Sequence, residues 1–168
     1  MAAAFSIQTM GGHAIEAKLA SLARAFGDLT PLMETFGGIL ETQTSERFEA
    51  ETAPDGSRWK PSLRARQDGG KTLTDRTTLR GSIHSIPSRL SVEIGTNLVY
   101  AGVHQGGAKI RAKTSAGLRF QLPGGLGWRR VMEVEIPARP FLGLSTDNGE
   151  ELLEEAEAYA LDAMGGEA

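Results

Sequence analysis

Cysteine is absent from the 168 residues, which removes disulfide frameworks, thiolate metal sites and cysteine nucleophiles together. With three histidines in the chain, a zinc site would consume nearly all of them or lean on carboxylates. Aromatic residues make up 6% against 21 glycines, a balance that predicts a modest core, many tight turns and loops that order against partners. No apolar run approaches the ~18–20 residues of a membrane span, because charged or amide side chains interrupt every one. The start, Met1-Ala-Ala-Ala-Phe5-Ser-Ile7, carries neither the basic region nor the long apolar stretch of a secretory signal, and points to the cytoplasm of the producing cell.

What is present is enough for one domain: 40% hydrophobic and 23% charged residues in 17.9 kDa allow a buried core and a solvated surface. The net charge of −3 hides a segregation, with residues 1–53 at −4, residues 54–140 at +9 and residues 141–168 at −8. A basic middle between acidic ends fits pairing within the chain, head-to-tail contact between copies or a surface facing nucleic acid; solvated faces explain it equally.

Helical periodicity opens the chain. Ile15, Leu19, Leu22 and Phe26 recur every three or four residues, with Gly27 as the stop. Thr30 as cap and Pro31 at the first position start a second helix that keeps period to about Glu51, with Gly37-Gly38 inside it as a place for close crossing or a bend. Pro54-Asp55-Gly56 is a turn. Residues 62–72 read as a projecting, mobile loop, and residues 73–83 as a short helix.

Residues 82–86 and 90–95 around Pro87-Ser88-Arg89 predict a hairpin. Leu98 to His104 is short and apolar, and residues 107–117 form a second projecting, mobile loop. Leu118, Phe120 and Leu122 alternate before the Pro123-Gly124-Gly125 turn, and Val131, Val134 and Ile136 mark a return strand. A last helix starts near Asp147, with Leu152, Leu153, Ala156, Tyr159, Ala160 and Ala163 inward and Glu150, Glu151, Glu154 and Glu155 crowding its first turns. The expected fold is α+β: an antiparallel sheet of about four strands with two N-terminal helices and a C-terminal helix.

Chemistry is harder to find. His104-Gln105-Gly-Gly has no second ligand at helical spacing, and the pairs Glu150/Glu154 and Glu151/Glu155 read as a solvated face rather than acid/base partners. Gly124-Gly125-Leu-Gly127 leads to another strand without a Lys-Ser/Thr step, so it is no phosphate cradle. No catalytic residue, metal site or cofactor is assigned. Two basic clusters, Arg64, Arg66 and Lys71 and then Lys109, Arg111 and Lys113, can approach a phosphate backbone without reading sequence. They support the alternative of a DNA-associated assembly factor touching packaged genome, although aromatic interleaving for base stacking is sparse.

Several segments stand in a telling order: Arg47-Phe48, Pro54-Asp-Gly-Ser-Arg-Trp59-Lys-Pro61, Leu79-Arg-Gly-Ser-Ile83, Ile94-Gly-Thr-Asn97, Tyr100-Ala-Gly-Val-His104-Gln-Gly-Gly107 and Ile136-Pro-Ala-Arg139-Pro-Phe141-Leu-Gly-Leu-Ser145. Over about residues 30–165 the chain resembles the phage virion morphogenesis family, the tail completion proteins of Mu-like and P2-like phages. Leu79-Arg80-Gly81 departs from the Thr-Gly-x-Leu arrangement expected before Ser-Ile.

The resemblance implies a non-enzymatic virion protein at the neck or tail end, assembled in the bacterial cytoplasm, that completes the tail or joins it to the head. It also implies a ring of copies, a hexamer in this family, beside a tail terminator or tail tube and head-connector proteins, with no membrane contact. Interface candidates are Trp59, Tyr100, His104, Arg139, Phe141 and the acidic Glu150, Glu151, Glu154 and Glu155. Arg139, stiffened by prolines on both sides, either offers its guanidinium to a carboxylate of the next copy or of its own last helix, or packs locally. Phe141 and Leu142 read as core before interface.

Overall fold

The computed structural model describes residues 13–165, so Met1–Ile7 and the compartment read from it lie outside the described residues. In chain order the helices are α1 (His13–Phe26), α2 (Thr30–Ala50), α3 (Leu63–Asp68), α4 (Ala101–Gly106) and α5 (Thr146–Gly165). The strands are β1 (His84–Pro87), β2 (Val92–Gly95), β3 (Ala108–Arg111), β4 (Leu118–Gln121), β5 (Trp128–Val131) and β6 (Glu133–Ile136). This is the expected α+β class, and every strand pair is antiparallel. The strands pair two by two, β1 with β2, β3 with β6 and β4 with β5, in place of one four-stranded sheet. The return strand breaks at Met132, whose carbonyl accepts the Ala112 N–H, so its halves serve different partners.

Two compact units divide the chain. One comprises the described part of Ser6–Glu46, Ile83–Gly95 and the described part of Leu142–Ala168. Its core joins Leu22 of α1, Leu29 before α2, Leu32, Met33 and Phe36 of α2, and Leu152, Ala156 and Ala160 of α5. The i, i+4 spacing of the last three sets them on one face, and the two alanines among them let α5 lie close. The caps differ from expectation. Asp28, not Thr30, supplies the oxygen at the start of α2, accepting from Thr30 N at 2.9 Å and Thr30 Oγ1 at 2.7 Å, which holds its carboxyl below the usual range. At α5, Ser145 and Asn148 cap each other, Asn148 Oδ1 accepting from Ser145 N at 3.0 Å and Ser145 Oγ from Asn148 N at 3.2 Å. Asp147 lies inside the first turn.

The other unit comprises Arg47–Ser82 and Thr96–Phe141, so α2 gives its last turn to it. The stretch read as a loop at residues 62–72 contains α3, capped by Ser62 Oγ accepting from Ala65 N at 3.1 Å. The expected helix at residues 73–83 is replaced by turns and one 3₁₀ turn, Arg80–Ser82. Leu73 and Thr77 take φ of 61° and 56°, a left-handed backbone that breaks a helix. The basic loop at residues 107–117 contains β3, where Lys109 and Arg111 pair across the ladder with Glu133 at 3.0 and 2.6 Å.

Gly37 and Gly38 separate into two roles. A Cβ on Gly37 would stand 2.8 Å from Ser85 Cβ and strike Ser85 Oγ as well; the close approach is therefore by hairpin β1–β2, whose Ser85 N–H also bonds the Glu41 carboxylate of α2. A Cβ on Gly38 meets nothing within 4 Å. Gly38→Ala should therefore stabilise the protein by about 0.4–1 kcal/mol, while Gly37→Ala should destabilise it by about 1–3 kcal/mol through overpacking. Thermal unfolding of both variants checks this: the melting temperatures should move in opposite directions.

Candidate functional site

The segment Pro137-Ala138-Arg139-Pro140-Phe141 has no regular structure, yet Arg139 is only 6% exposed and Phe141 is fully buried. Its two prolines have no N–H to offer, and the remaining polar groups demand partners once water is gone. Those partners come from the same segments that carry the family resemblance. Arg139 N donates to the His104 carbonyl at 2.7 Å, and Phe141 N donates to Gln105 Oε1 at 3.0 Å. The Pro140 carbonyl accepts from Trp59 Nε1 at 2.8 Å, and the Phe141 carbonyl accepts from Arg47 Nη1 at 3.1 Å. Arg139 Nε reaches the Lys60 carbonyl at 2.7 Å.

An aromatic cluster closes around these bonds. Phe48 meets Trp59 edge-on, centroids 5.4 Å apart at 80°, and Phe141 at 5.3 Å and 46°. Burying each such ring contributes on the order of 1.5–3 kcal/mol, with a further ~0.5–1.5 kcal/mol for a favourable aromatic pair. The Pro54-Asp55-Gly56 turn returns Trp59 to this cluster. Asp55 Oδ1 accepts from Ser57 N at 2.9 Å and Ser57 Oγ at 2.6 Å, and Trp59 N donates to the Glu51 carbonyl at 2.8 Å. Gly107, at φ +73°, lets the link from α4 to β3 pass the segment: a Cβ there would stand 2.8 Å from Ala138 N and 2.9 Å from the Ile136 carbonyl.

The sequence-derived candidates therefore divide. Trp59, Arg139 and Phe141 lie inside this knot, where the Arg139 guanidinium donates to a main-chain carbonyl. Burial lowers its pKa from the ordinary value. His104 is half-buried, its ring edge-on to Tyr100 at 6.0 Å, with Tyr100 44% exposed. Burial first, and Arg139 second, push the His104 pKa down, and its Nδ1 has no hydrogen-bond partner among the described residues. Glu150, Glu151 and Glu154 are exposed on α5 and Glu155 is half-buried; Glu151 accepts from Gln43 Nε2.

The basic candidates divide as well. Lys71 pairs with Glu49, which also takes Arg80, and these hydrogen bonds, Lys71 before Arg80, hold the Glu49 carboxyl below the usual range. Arg64 pairs with Asp75 at 3.6 Å and donates to the Lys71 carbonyl, and Lys109 and Arg111 share Glu133. Arg66 and Lys113 are exposed. Among the described residues no group of three or more His, Cys, Asp or Glu is placed to hold a metal ion, and no helix is long and apolar enough to cross a membrane.

Two contributors carry no assignment from sequence, Arg47 and Gln105. The available signal for Arg47 was its place on the buried stripe of α2, seven residues after Leu40 and three after the buried Thr44. Nothing local announces that the Gln105 amide ends on Phe141 N, 36 residues away.

The direction of the His104 shift fixes a pH dependence. Folding disfavours its protonated form, so the stability it contributes is fully present above the unfolded value near 6.5 and is lost as pH falls below that value and through the lower folded one. Between pH 7.5 and 5, melting temperature should fall more for the wild type than for His104→Asn; equal slopes would remove His104 as the cause.

A model of the phage virion morphogenesis family matches residues 11–160. The chain is 33% identical over 153 residues, 91% of its own length and 94% of the relative's, to the Mu-like prophage FluMu G protein 2 of Haemophilus influenzae. No solved structure matches. The match spans all the segments that meet in the knot, and the chain belongs to the phage virion morphogenesis family, with a structural or assembly role in a phage virion.

Proposed function

We propose that this protein completes the phage tail or joins it to the head at the neck, as a closed ring of copies held between tail and head-connector components. It assembles in the bacterial cytoplasm and is retained in the finished virion. One observation carries the reading: the motif residues that define the family likeness are spent on holding an irregular segment in place, which suits a scaffold that presents loops and surfaces to partners. The likeness to a prophage G protein along 94% of its length supports the same role.

The charge segregation, +9 in residues 54–140 against −8 in residues 141–168, supplies a head-to-tail attraction between copies. Such contacts weaken as added salt shortens the Debye length from ~10 Å at 0.1 M to ~3 Å at 1 M. A DNA-contacting role is less well supported, because Lys71, Arg64, Lys109 and Arg111 already pair with carboxylates of the same chain.

Deleting the gene should leave filled heads and tails that do not join, or tails with faulty ends, with joining restored by the wild-type protein in trans. Particle microscopy with a composition measurement reads this out. Normal joined particles from the deletion, or absence of the protein from finished particles, would overturn the role.

A further inference from the structure

The hairpin β4–β5 exposes a face whose charge no ion pair among the described residues answers. Its register sets Arg119 opposite Arg130 and Gln121 opposite Trp128, so these four side chains share one side of the ladder, and all four are exposed. Two guanidinium groups thus stand directly across from each other, an arrangement that disfavours the isolated hairpin. No acidic residue occurs between Ala112 and Met132. Arg119 lies over the Trp128 ring at 4.6 Å, Arg130 Nη2 donates to the Ser115 carbonyl at 2.7 Å, and Trp128 is 62% exposed. Arginine beside an exposed tryptophan is the composition of an interface centre.

A matching anionic surface occurs on α5. Leu152, Ala156 and Ala160 face the core, which leaves Glu150, Glu154, Ala158 and Leu161 outward, with Leu161 67% exposed. Glu150 and Glu154 are one turn apart, again like charges side by side, and no Lys or Arg follows Arg139 in the chain. Glu157 pairs with Lys18 at 3.6 Å and Glu151 with Gln43, so these two already have partners in the same unit.

The spacings agree. Opposed residues of an antiparallel pair have Cβ atoms ~4.5–5.5 Å apart, and residues four apart on a helix ~5–6 Å. Two arginines and two glutamates at that separation form two side-by-side guanidinium–carboxylate pairs, and both like-charge repulsions are relieved in one step. We propose that the β4–β5 hairpin of one copy docks on the outer face of α5 of a second copy, Arg119 and Arg130 pairing with Glu150 and Glu154. Two different surfaces meeting in this way make a head-to-tail contact, the kind that builds rings. The assignment rests on the ring reading above and gives it its contact surface.

Reversal on both sides tests it, with the full chain at 0.1 M salt and sedimentation as the readout. Arg119→Glu with Arg130→Glu keeps a like-charge pair in the hairpin but gives up the stacking on Trp128 and the bond to the Ser115 carbonyl, so circular dichroism and thermal unfolding verify that each variant is folded. This variant and Glu150→Lys with Glu154→Lys should each weaken self-association at least about tenfold, since like charges are then juxtaposed across the contact. The chain carrying all four substitutions should recover it. A monomeric wild type, association untouched by either pair, or no recovery in the fourfold variant would overturn the proposal. So would unchanged association with loss of binding to a DNA duplex in Arg119→Glu/Arg130→Glu, which would give the face to nucleic acid. A gene deletion that blocks joining while the reversals change nothing would remove this contact and leave the tail-completion role standing. Reversals that behave as expected beside a deletion with normal particles would do the opposite.

Discussion

A buried stretch of backbone without helix or sheet obliges the rest of its unit to supply hydrogen bonds. In the irregular residues 137–141, Arg139 and Phe141 are buried in this way, and unpaired amide or carbonyl groups on them would each cost about 1–3 kcal/mol. The indole of Trp59, the guanidinium of Arg47, the amide of Gln105 and the carbonyl of His104 meet that demand one group at a time. Much else follows. The Pro54-Asp55-Gly56 turn exists where Trp59 must come back toward Phe48, α4 ends where its last turn can offer both His104 and Gln105, and Gly107 is bare where Ile136 and Ala138 pass. Segments far apart in sequence are in this way tied to one another by bonds that no single segment could make.

The same economy governs charge. Several cations in the middle of the chain are answered locally, Glu49 taking Lys71 and Arg80 and Glu133 taking Lys109 and Arg111. Exposed pairs of this kind contribute little stability each, but they remove cations from the list available to a partner. Charge that stays exposed on Arg119, Arg130, Glu150 and Glu154 therefore carries more weight for assembly than the net figures suggest.

Long periodic elements were legible in the sequence. Helices α1, α2 and α5 and the β1–β2 hairpin follow from apolar spacing, because burial of one face is what stabilises them. Short or charged elements were not. Strand β3 alternates Lys109 and Arg111 with Ala108 and Ile110, and reads as a basic loop until Glu133 of β6 is placed opposite. Helices α3 and α4 have six residues each, too few for a period, and depend on Ser62 in one case and on tertiary placement in the other. The stiffness of the Arg139 segment was readable, and its destination was not, since the bonding partner is a main-chain carbonyl 79 residues away. Family resemblance found the residues of the knot; only the structure showed that they meet.

Native-state hydrogen exchange tests the central claim most directly, because it reports which amides open only when the whole unit unfolds. The Arg139 and Phe141 amides, bonded to the His104 carbonyl and the Gln105 side chain, should exchange together with the Trp59 amide and in the slowest class of their unit, despite lying outside any helix or strand. Exchange of Arg139 and Phe141 by local fraying, as fast as the exposed tip at residues 124–127, would contradict the account.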